Sequence, residues 1–197
     1  MTVDKAKMEY ELALINQYTL EELSQEDVCV FSIRLCDTKV NAEAIRLTVD
    51  ALFDIKRLFV GKNGVVDVAG ESETTIAKII SCDVEREDNT YVLTARAYLT
   101  KCEKNRSIIG AIKNGVIYDA DCGIVAADQV CSICHYDMKS PLCNHVKCRH
   151  YDDKLCFGEV YSVTDAYDFT VMLPRQIKYK AKVRKVTRSK YARQNSV

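Results

Sequence analysis

The sequence predicts an α+β fold with a small, antiparallel, β-barrel-like core, two or three flanking helices and one cysteine-rich loop insertion. Strand-like runs recur along the chain, two apolar stripes at helical spacing interrupt them, and half of the ten cysteines fall from Cys131 to Cys156. With 197 residues and 48% hydrophobic side chains, the chain is long enough to form one ordinary core. We therefore divide it into an N-terminal segment (1–27), a main domain (28–176) and a C-terminal tail (177–197).

The first part of the chain carries two helix signals and one strand signal. Thr19 and Glu22 have the spacing of a capping box, which predicts a short helix over 19–27. β-branched and aromatic residues predict a strand over 28–35. Apolar residues at helical spacing then predict a helix over 41–59, and such a stripe is typical of a helix that packs on a core.

The second part of the chain is dominated by strand signals. Two alternating runs, 74–84 and 91–100, are separated by a charged turn, which predicts an antiparallel hairpin. Beyond this hairpin, apolar spacing and β-branched runs predict a helix over 103–114 and strands over 116–126, 155–163 and 169–173.

The cysteine-rich loop, residues 127–155, contains the ligand pattern of a structural zinc site. Cys131 and Cys134 form a CxxC pair, and Cys143 with His145 supplies a second pair of ligands. A tetrahedral zinc ion prefers thiolate and imidazole ligands, and a CxxC turn provides two of them from one loop. We therefore predict that these four residues bind structural zinc. The alternative is a cluster of buried free cysteines.

The same loop limits the candidates for catalysis. It holds all three histidines of the protein, and His135, His150 or Cys148 could replace a member of the main ligand set. A histidine bound to metal is not available as a general base, and the chain has no GxSxG, HExxH or glycine-rich phosphate motif. Cys122 has apolar neighbours and no adjacent cation, which predicts an unreactive thiol. The residues alone therefore give little support to an enzyme.

The composition predicts a reduced, cytoplasmic protein that does not cross a membrane. No apolar run reaches the length of a bilayer-spanning helix, and the first residues lack the apolar segment of a signal peptide. Half of the cysteines are scattered through predicted strands and helices, so free thiols are expected. The net charge is zero, but every charged side chain from Arg175 onward is basic. The tail (177–197) could bind nucleic acid or an acidic protein, add a strand to a partner's sheet, or remain solvated.

The order of several segments resembles the prohead (capsid maturation) proteases of tailed phages, particularly those from Gram-positive hosts. The resemblance covers about 28–176, and it implies the herpesvirus assemblin-like fold, a β-barrel ringed by helices. The CxxC pair resembles a cysteine insertion found in some members. The segments that resemble the family, in chain order, are 31–36, 58–62, 64–67, 75–80, 95–99, 108–116, 131–134, 164–169 and 171–174.

Two positions depart from the pattern of that family. The family carries a catalytic histidine directly after the aspartate that Asp67 matches, and Val68 occupies that position here. The family's serine aligns with Asp121 when Gly123 and the CxxC pair are matched without gaps. Proton transfer and nucleophilic attack depend on those two groups. The resemblance therefore implies a protease-like protein that has no catalytic residues and is not an enzyme.

A protease-like protein without its catalytic groups would retain the surfaces with which such proteases recognise capsid protein. We therefore expect a structural protein of a phage virion, either a decoration or cement protein or an assembly factor. Its expected partners are the major capsid protein, other head proteins or further copies of itself, in the host cytoplasm during assembly and then in the virion. Two alternatives stay open: an active maturation protease with rearranged catalytic residues, and a zinc-dependent nucleic-acid-binding module.

Overall fold

The computed structural model describes residues 3–67, 75–115 and 120–172. Within these ranges the helices are α1 (Val3–Ile15), α2 (Val49–Phe59) and α3 (Arg106–Lys113), the last preceded by a 3-10 turn at Glu103–Asn105. The strands are β1 (Val28–Asp37), β2 (Ile45–Leu47), β3 (Asn63–Asp67), β4 (Thr75–Glu87), β5 (Thr90–Thr100), β6 (Ala120–Ala126), β7 (Val130–Cys131), β8 (His150–Tyr151), β9 (Lys154–Leu155), β10 (Gly158–Val160) and β11 (Val163–Met172).

Six strands form one curled sheet in the order β1-β5-β4-β3-β11-β6. Its neighbouring strands run antiparallel except β3 and β11, which are parallel. The outer strands β1 and β6 approach each other, since the Cys122 thiol donates to the Leu35 carbonyl oxygen at 3.3 Å. Within the described ranges the sheet is nevertheless a half-barrel with two separate edges. The α+β class is thus confirmed, whereas the predicted antiparallel, barrel-like core is a mixed and open sheet.

The main core lies between α2 and one face of this sheet. Leu52, Ile55 and Phe59 of α2 have no exposed surface, and the helix packs against β4, β5 and β11. Phe169 of β11 and Ile108 of α3 belong to the same buried cluster. Burial of this apolar surface is the main force that holds the sheet in its curved shape.

Helix α1 packs on the opposite face of the sheet. Ile79 belongs to the main core, while its neighbour Ile80 packs with Ile15 of α1, because successive side chains of a strand point to opposite faces. The Arg96 guanidinium donates to both carboxylate oxygens of Glu11, at 2.8 and 3.0 Å. This ion pair and the second apolar cluster attach α1 to the sheet.

The predicted helix over 19–27 is wrong. The N-terminal helix is α1, and the residues after it form turns and extended chain up to β1. The Asn16 side-chain oxygen accepts hydrogen bonds from the Leu23 backbone N–H (2.9 Å) and from the Thr19 hydroxyl (3.3 Å). The hydroxyl that was expected to cap a helix is therefore used in a local loop contact.

The predicted helix over 41–59 is only partly right, because α2 begins at Val49 with Thr48 as its N-cap. The Asn41 side-chain oxygen accepts from the backbone N–H groups of Glu43 and Ile45, at 3.0 and 2.9 Å. Such bonds favour a turn over a helix. The residues that follow form β2, which pairs with β10 in parallel.

Most other predicted elements are confirmed with changed bounds, but the single strand predicted over 155–163 is wrong. That stretch holds the end of β9, the short strand β10 and the start of β11, because the backbone groups of Cys156 and Phe157 bond to Arg149 and Ser132 instead of continuing a strand. β1 and α3 lie where the sequence predicts them, and β4 and β5 form the predicted antiparallel hairpin. Its turn is shorter than expected, since the strands continue to Glu87 and from Thr90. The predicted strand over 116–126 begins at Ala120 among the described residues. Both 116–119 and the tail (177–197) lie outside the described ranges.

Candidate metal centre

The cysteine-rich loop contains β7 and is followed by β10. Both strands belong to a small sheet of three strands, in the order β2-β10-β7. Cys131 in β7 lies opposite Gly158 in β10. A Cβ atom at Gly158 would lie 3.2 Å from Met138 Sδ and from Gln129 Oε1, so the loop packs closely on this glycine. The loop is thereby fixed to the strand that pairs with β2, next to the start of α2.

A tight turn presents the first two cysteines of the site. The Cys131 N–H donates to the Tyr136 carbonyl oxygen at 2.8 Å, and the His135 N–H donates to the Cys131 carbonyl oxygen at 2.9 Å. Burial opposes ionisation of the Cys131 thiol, but the backbone N–H groups of Cys134 and Ile133, together with the thiols of Cys134 and Cys156, lower the pKa of Cys131 below its usual value. The thiolate is the form of cysteine that binds metal, and a lowered pKa makes the thiolate easier to form.

The four residues that the sequence predicts as zinc ligands come together in the fold. The ligand atoms of Cys131, Cys134, Cys143 and His145 all lie within 4.8 Å of one another, and the sulfurs of Cys134 and Cys143 are 3.7 Å apart. A zinc–sulfur bond of about 2.3 Å places two sulfurs of a tetrahedral site about 3.8 Å apart. The cluster could therefore hold a metal ion, and its three sulfurs and one imidazole match the preferences of zinc.

His145 gives separate support for a metal. Its Nδ1 atom is buried and has no hydrogen-bond partner in the described structure. A buried polar atom without a partner costs about 1–3 kcal/mol, and a bound cation at this nitrogen would remove that cost. The ring stands edge-on to Tyr151, with 4.6 Å between centroids, and the Tyr151 hydroxyl oxygen accepts from the Val146 N–H at 3.0 Å. The imidazole is therefore held in place by its surroundings.

The three surplus candidates of the loop are not part of this cluster. Cys148, His135 and His150 are exposed, and the group of clustered ligand atoms contains none of them. Cys156, in contrast, was not singled out as a ligand from the sequence, yet its sulfur lies 3.8 Å from that of Cys131. The sequence indicates Cys156 only by its closeness to the loop cysteines. Because Cys156 falls in the predicted strand over 155–163, we did not count it as a ligand.

Asp121, at the position of the family's serine, and Asp67, the aspartate before the family's histidine position, lie on strands that flank β11. Asp121 on β6 lies opposite Thr170 of β11, and Asp67 on β3 lies opposite Met172 of β11. Val68, which occupies the position of the family's histidine, lies outside the described ranges. Asp67 and Asp121 therefore lie on opposite sides of β11, two residues apart along that strand.

Cys122, the neighbour of Asp121, is a buried thiol. Burial is the main cause that raises the pKa of Cys122 well above the usual value for a thiol, and the nearby Cys36 and Asp121 add to it. The prediction of an unreactive thiol is confirmed, because the thiol stays protonated at neutral pH.

An open cleft of about 410 Å³ lies beside the start of β3. Residues 61–65 form one wall, and Ile76, Tyr167 and Asp168 complete the lining. Lys62 and Asp168 are its charged groups, and the lining described here contains no histidine, cysteine or serine.

Comparison with family models, with curated proteins and with solved structures finds no match for this chain. The resemblance to prohead proteases is thus carried by the sequence segments alone and stays a prediction. As for membranes, the helices of the described ranges are all too short or too polar to span a bilayer.

Proposed function

We propose that this chain is a zinc-stabilised, non-catalytic protein of a phage head, which binds the major capsid protein or other head proteins. The observation that carries the proposal is the clustered donor set of Cys131, Cys134, Cys143 and His145. Four protein ligands would complete a tetrahedral zinc site, so the ion would stabilise the loop and would not activate a water molecule. The assignment to a phage head comes from the sequence resemblance.

A binding role is further supported by the state of the candidate reactive groups among the described residues. His145 belongs to the donor cluster, and His135 and His150 are exposed in the same loop. The Cys122 thiol is buried and stays protonated. In this proposal the sheet is a scaffold, made in the host cytoplasm and then retained in the virion.

The zinc site can be tested by measuring metal in the purified full-length protein by inductively coupled plasma mass spectrometry. We expect one zinc ion per chain, and we expect the double variant Cys134→Ala/Cys143→Ala to lose it, because it removes two of the four ligands. Cys148→Ala is the matched control, since Cys148 lies in the same loop but is exposed and outside the cluster. A wild-type protein without zinc, or equal zinc in all variants, would contradict the site.

The role in the phage head can be tested on particles of a phage that encodes this chain. Mass spectrometry of purified heads should find the full-length chain at a copy number comparable with that of a capsid or decoration subunit. We also expect Asp121→Asn and Cys122→Ala to leave capsid-protein processing unchanged, because neither side chain acts in catalysis. Absence from the heads, or a loss of processing in either variant, would favour a transient assembly factor or a working protease.

A further inference from the structure

A fifth potential donor lies beside the four clustered ligands. The sulfur of Cys156 is 3.8 Å from the sulfur of Cys131, almost the same as the 3.7 Å between Cys134 and Cys143. This is also the spacing of about 3.8 Å expected for two sulfurs that share one tetrahedral zinc ion. Cys156 therefore has a ligand-like distance to one member of the cluster.

Cys156, like Cys131, is fully buried, whereas the residues around them are not. In the stretch 127–157, all of which the structure describes, Cys131 and Cys156 are the only buried residues, and neither has any exposed surface. The two sulfurs thus form the sealed interior of the loop. Cys148, the other cysteine outside the donor cluster, is exposed.

Backbone hydrogen bonds hold Cys156 in this position. Its N–H donates to the Arg149 carbonyl oxygen at 2.7 Å, and its carbonyl oxygen accepts from the Cys148 N–H at 3.0 Å. The next residue, Phe157, exchanges hydrogen bonds with Ser132, which lies directly after Cys131. The chain on either side of the thiol is therefore fixed against the turn that carries the first two ligands, so binding would require little reorganisation.

We propose that Cys156 is a reserve ligand of the metal, which takes the fourth position when His145 is lost from it. This inference rests on the proposed zinc site. Three thiolates with one imidazole and four thiolates are both ordinary donor sets for structural zinc, so the exchange keeps four ligands. In the exchange the metal–nitrogen bond breaks, the Cys156 thiol releases its proton to water, and a metal–sulfur bond forms.

The test replaces zinc with cobalt(II) in the full-length protein and reads the ligands from the absorption spectrum, since thiolate charge-transfer and ligand-field bands depend on the number of bound sulfurs. We expect three sulfurs and one nitrogen in the wild type and in Cys156→Ser. His145→Ala should bind one cobalt with four sulfurs. The double variant His145→Ala/Cys156→Ser should bind at least about tenfold more weakly than either single variant.

The matched control is His145→Ala/Cys148→Ser, which removes an exposed thiol of the same loop and should keep the four-sulfur spectrum. His145→Asn serves as a second variant in case the alanine variant does not fold.

A His145 variant that folds but loses cobalt, or that shows only three sulfurs, overturns the reserve ligand and leaves the zinc site standing. A wild type with four sulfurs, one of which Cys156→Ser removes, also overturns it, because Cys156 would then be the resident ligand. A wild type that binds no metal overturns the zinc site itself.

Discussion

Cysteine behaves differently in the sheet and in the cysteine-rich loop. Cys36, Cys82 and Cys122 lie in or against the apolar core, where burial raises their pKa values, that of Cys82 to about 12. In the loop, burial also raises the pKa of Cys131, but the N–H groups of a tight turn and two neighbouring thiols together lower it below its usual value. The core thiols therefore act as small packing groups that stay protonated, whereas the loop brings thiols together at the spacing of metal ligands, and one of them, Cys131, ionises more readily than an ordinary thiol.

The two regions also differ in what can stabilise them. The sheet and its helices bury a large cluster of apolar side chains, but the stretch 127–157 buries only Cys131 and Cys156. Fixing the backbone of one residue costs about 1–2 kcal/mol, and so little burial cannot offset that cost over a loop of this length. Small units without a sufficient core commonly depend on a metal. We therefore expect the loop to need a bound metal ion for folding, while the sheet does not.

Removal of zinc should have the largest effect, and it should separate the two regions. Structural zinc contributes roughly 10 kcal/mol of apparent binding free energy at neutral pH, so chelation should unfold the loop and leave the sheet folded. Hydrogen exchange read by mass spectrometry should show fast exchange at 130–157 after chelation and unchanged protection in β4 and β5. Restored zinc should restore the protection. Equal exchange in the loop with and without zinc would show that the loop is held by other means.

A substitution at Gly64 should test the opposite region, because the core there has no spare room. A Cβ atom at Gly64 of β3 would lie 2.3 Å from the ring of Phe169, which is fully buried on the parallel neighbour β11. We expect Gly64→Ala to lower the free energy of unfolding by about 3 kcal/mol in urea titrations followed by circular dichroism. Its zinc content should be unchanged, since the ligands lie in the loop.

Gly110→Ala is the matched control for this substitution. Gly110 lies inside α3, and a Cβ atom there would meet nothing within 4 Å. Alanine favours a helix over glycine, so this variant should be more stable by about 0.5–1 kcal/mol. A Gly64→Ala variant as stable as the wild type would mean that β3 and Phe169 are not in close contact.

The sequence predicts the loop better than it predicts the sheet. The ligands Cys131, Cys134, Cys143 and His145 follow from short spacings, because a metal-binding turn is a local feature of the chain. The β4/β5 hairpin and α3 are local too, and both were predicted. Cys156 was missed because its contact with Cys131 depends on the pairing of β7 with β10, which no spacing in the sequence indicates.

The misplaced elements have a similar cause. The helix over 19–27 and the start of α2 at 41 were predicted from local helix signals. At both places an asparagine side chain, Asn16 or Asn41, instead accepts backbone hydrogen bonds that favour a turn. The parallel pairing of β3 with β11 joins strands that are far apart in sequence, and apolar patterning does not specify the partner of a strand. Long-range pairing is thus what the sequence left undetermined.

A core thiol should make the stability of the protein depend on pH in the alkaline range. Burial, assisted by the Asp83 carboxylate, raises the pKa of Cys82 to about 12 from a usual value of 9.0. Above pH 9 the unfolded chain loses this proton while the folded protein keeps it, so the unfolded state binds fewer protons and stability falls as pH rises, until about pH 12. Cys82 should contribute about 1.4 kcal/mol of this loss per pH unit.

Cys82→Ala should therefore flatten the dependence of unfolding free energy on pH above 9, even though it lowers stability at neutral pH by removing buried volume. Urea titrations at several pH values measure that slope directly, and Cys102→Ala is the control because Cys102 is exposed. Identical slopes in the wild type and Cys82→Ala would mean that water reaches the thiol in the folded sheet. In that case the division between protonated core thiols and metal-binding loop thiols would not depend on burial.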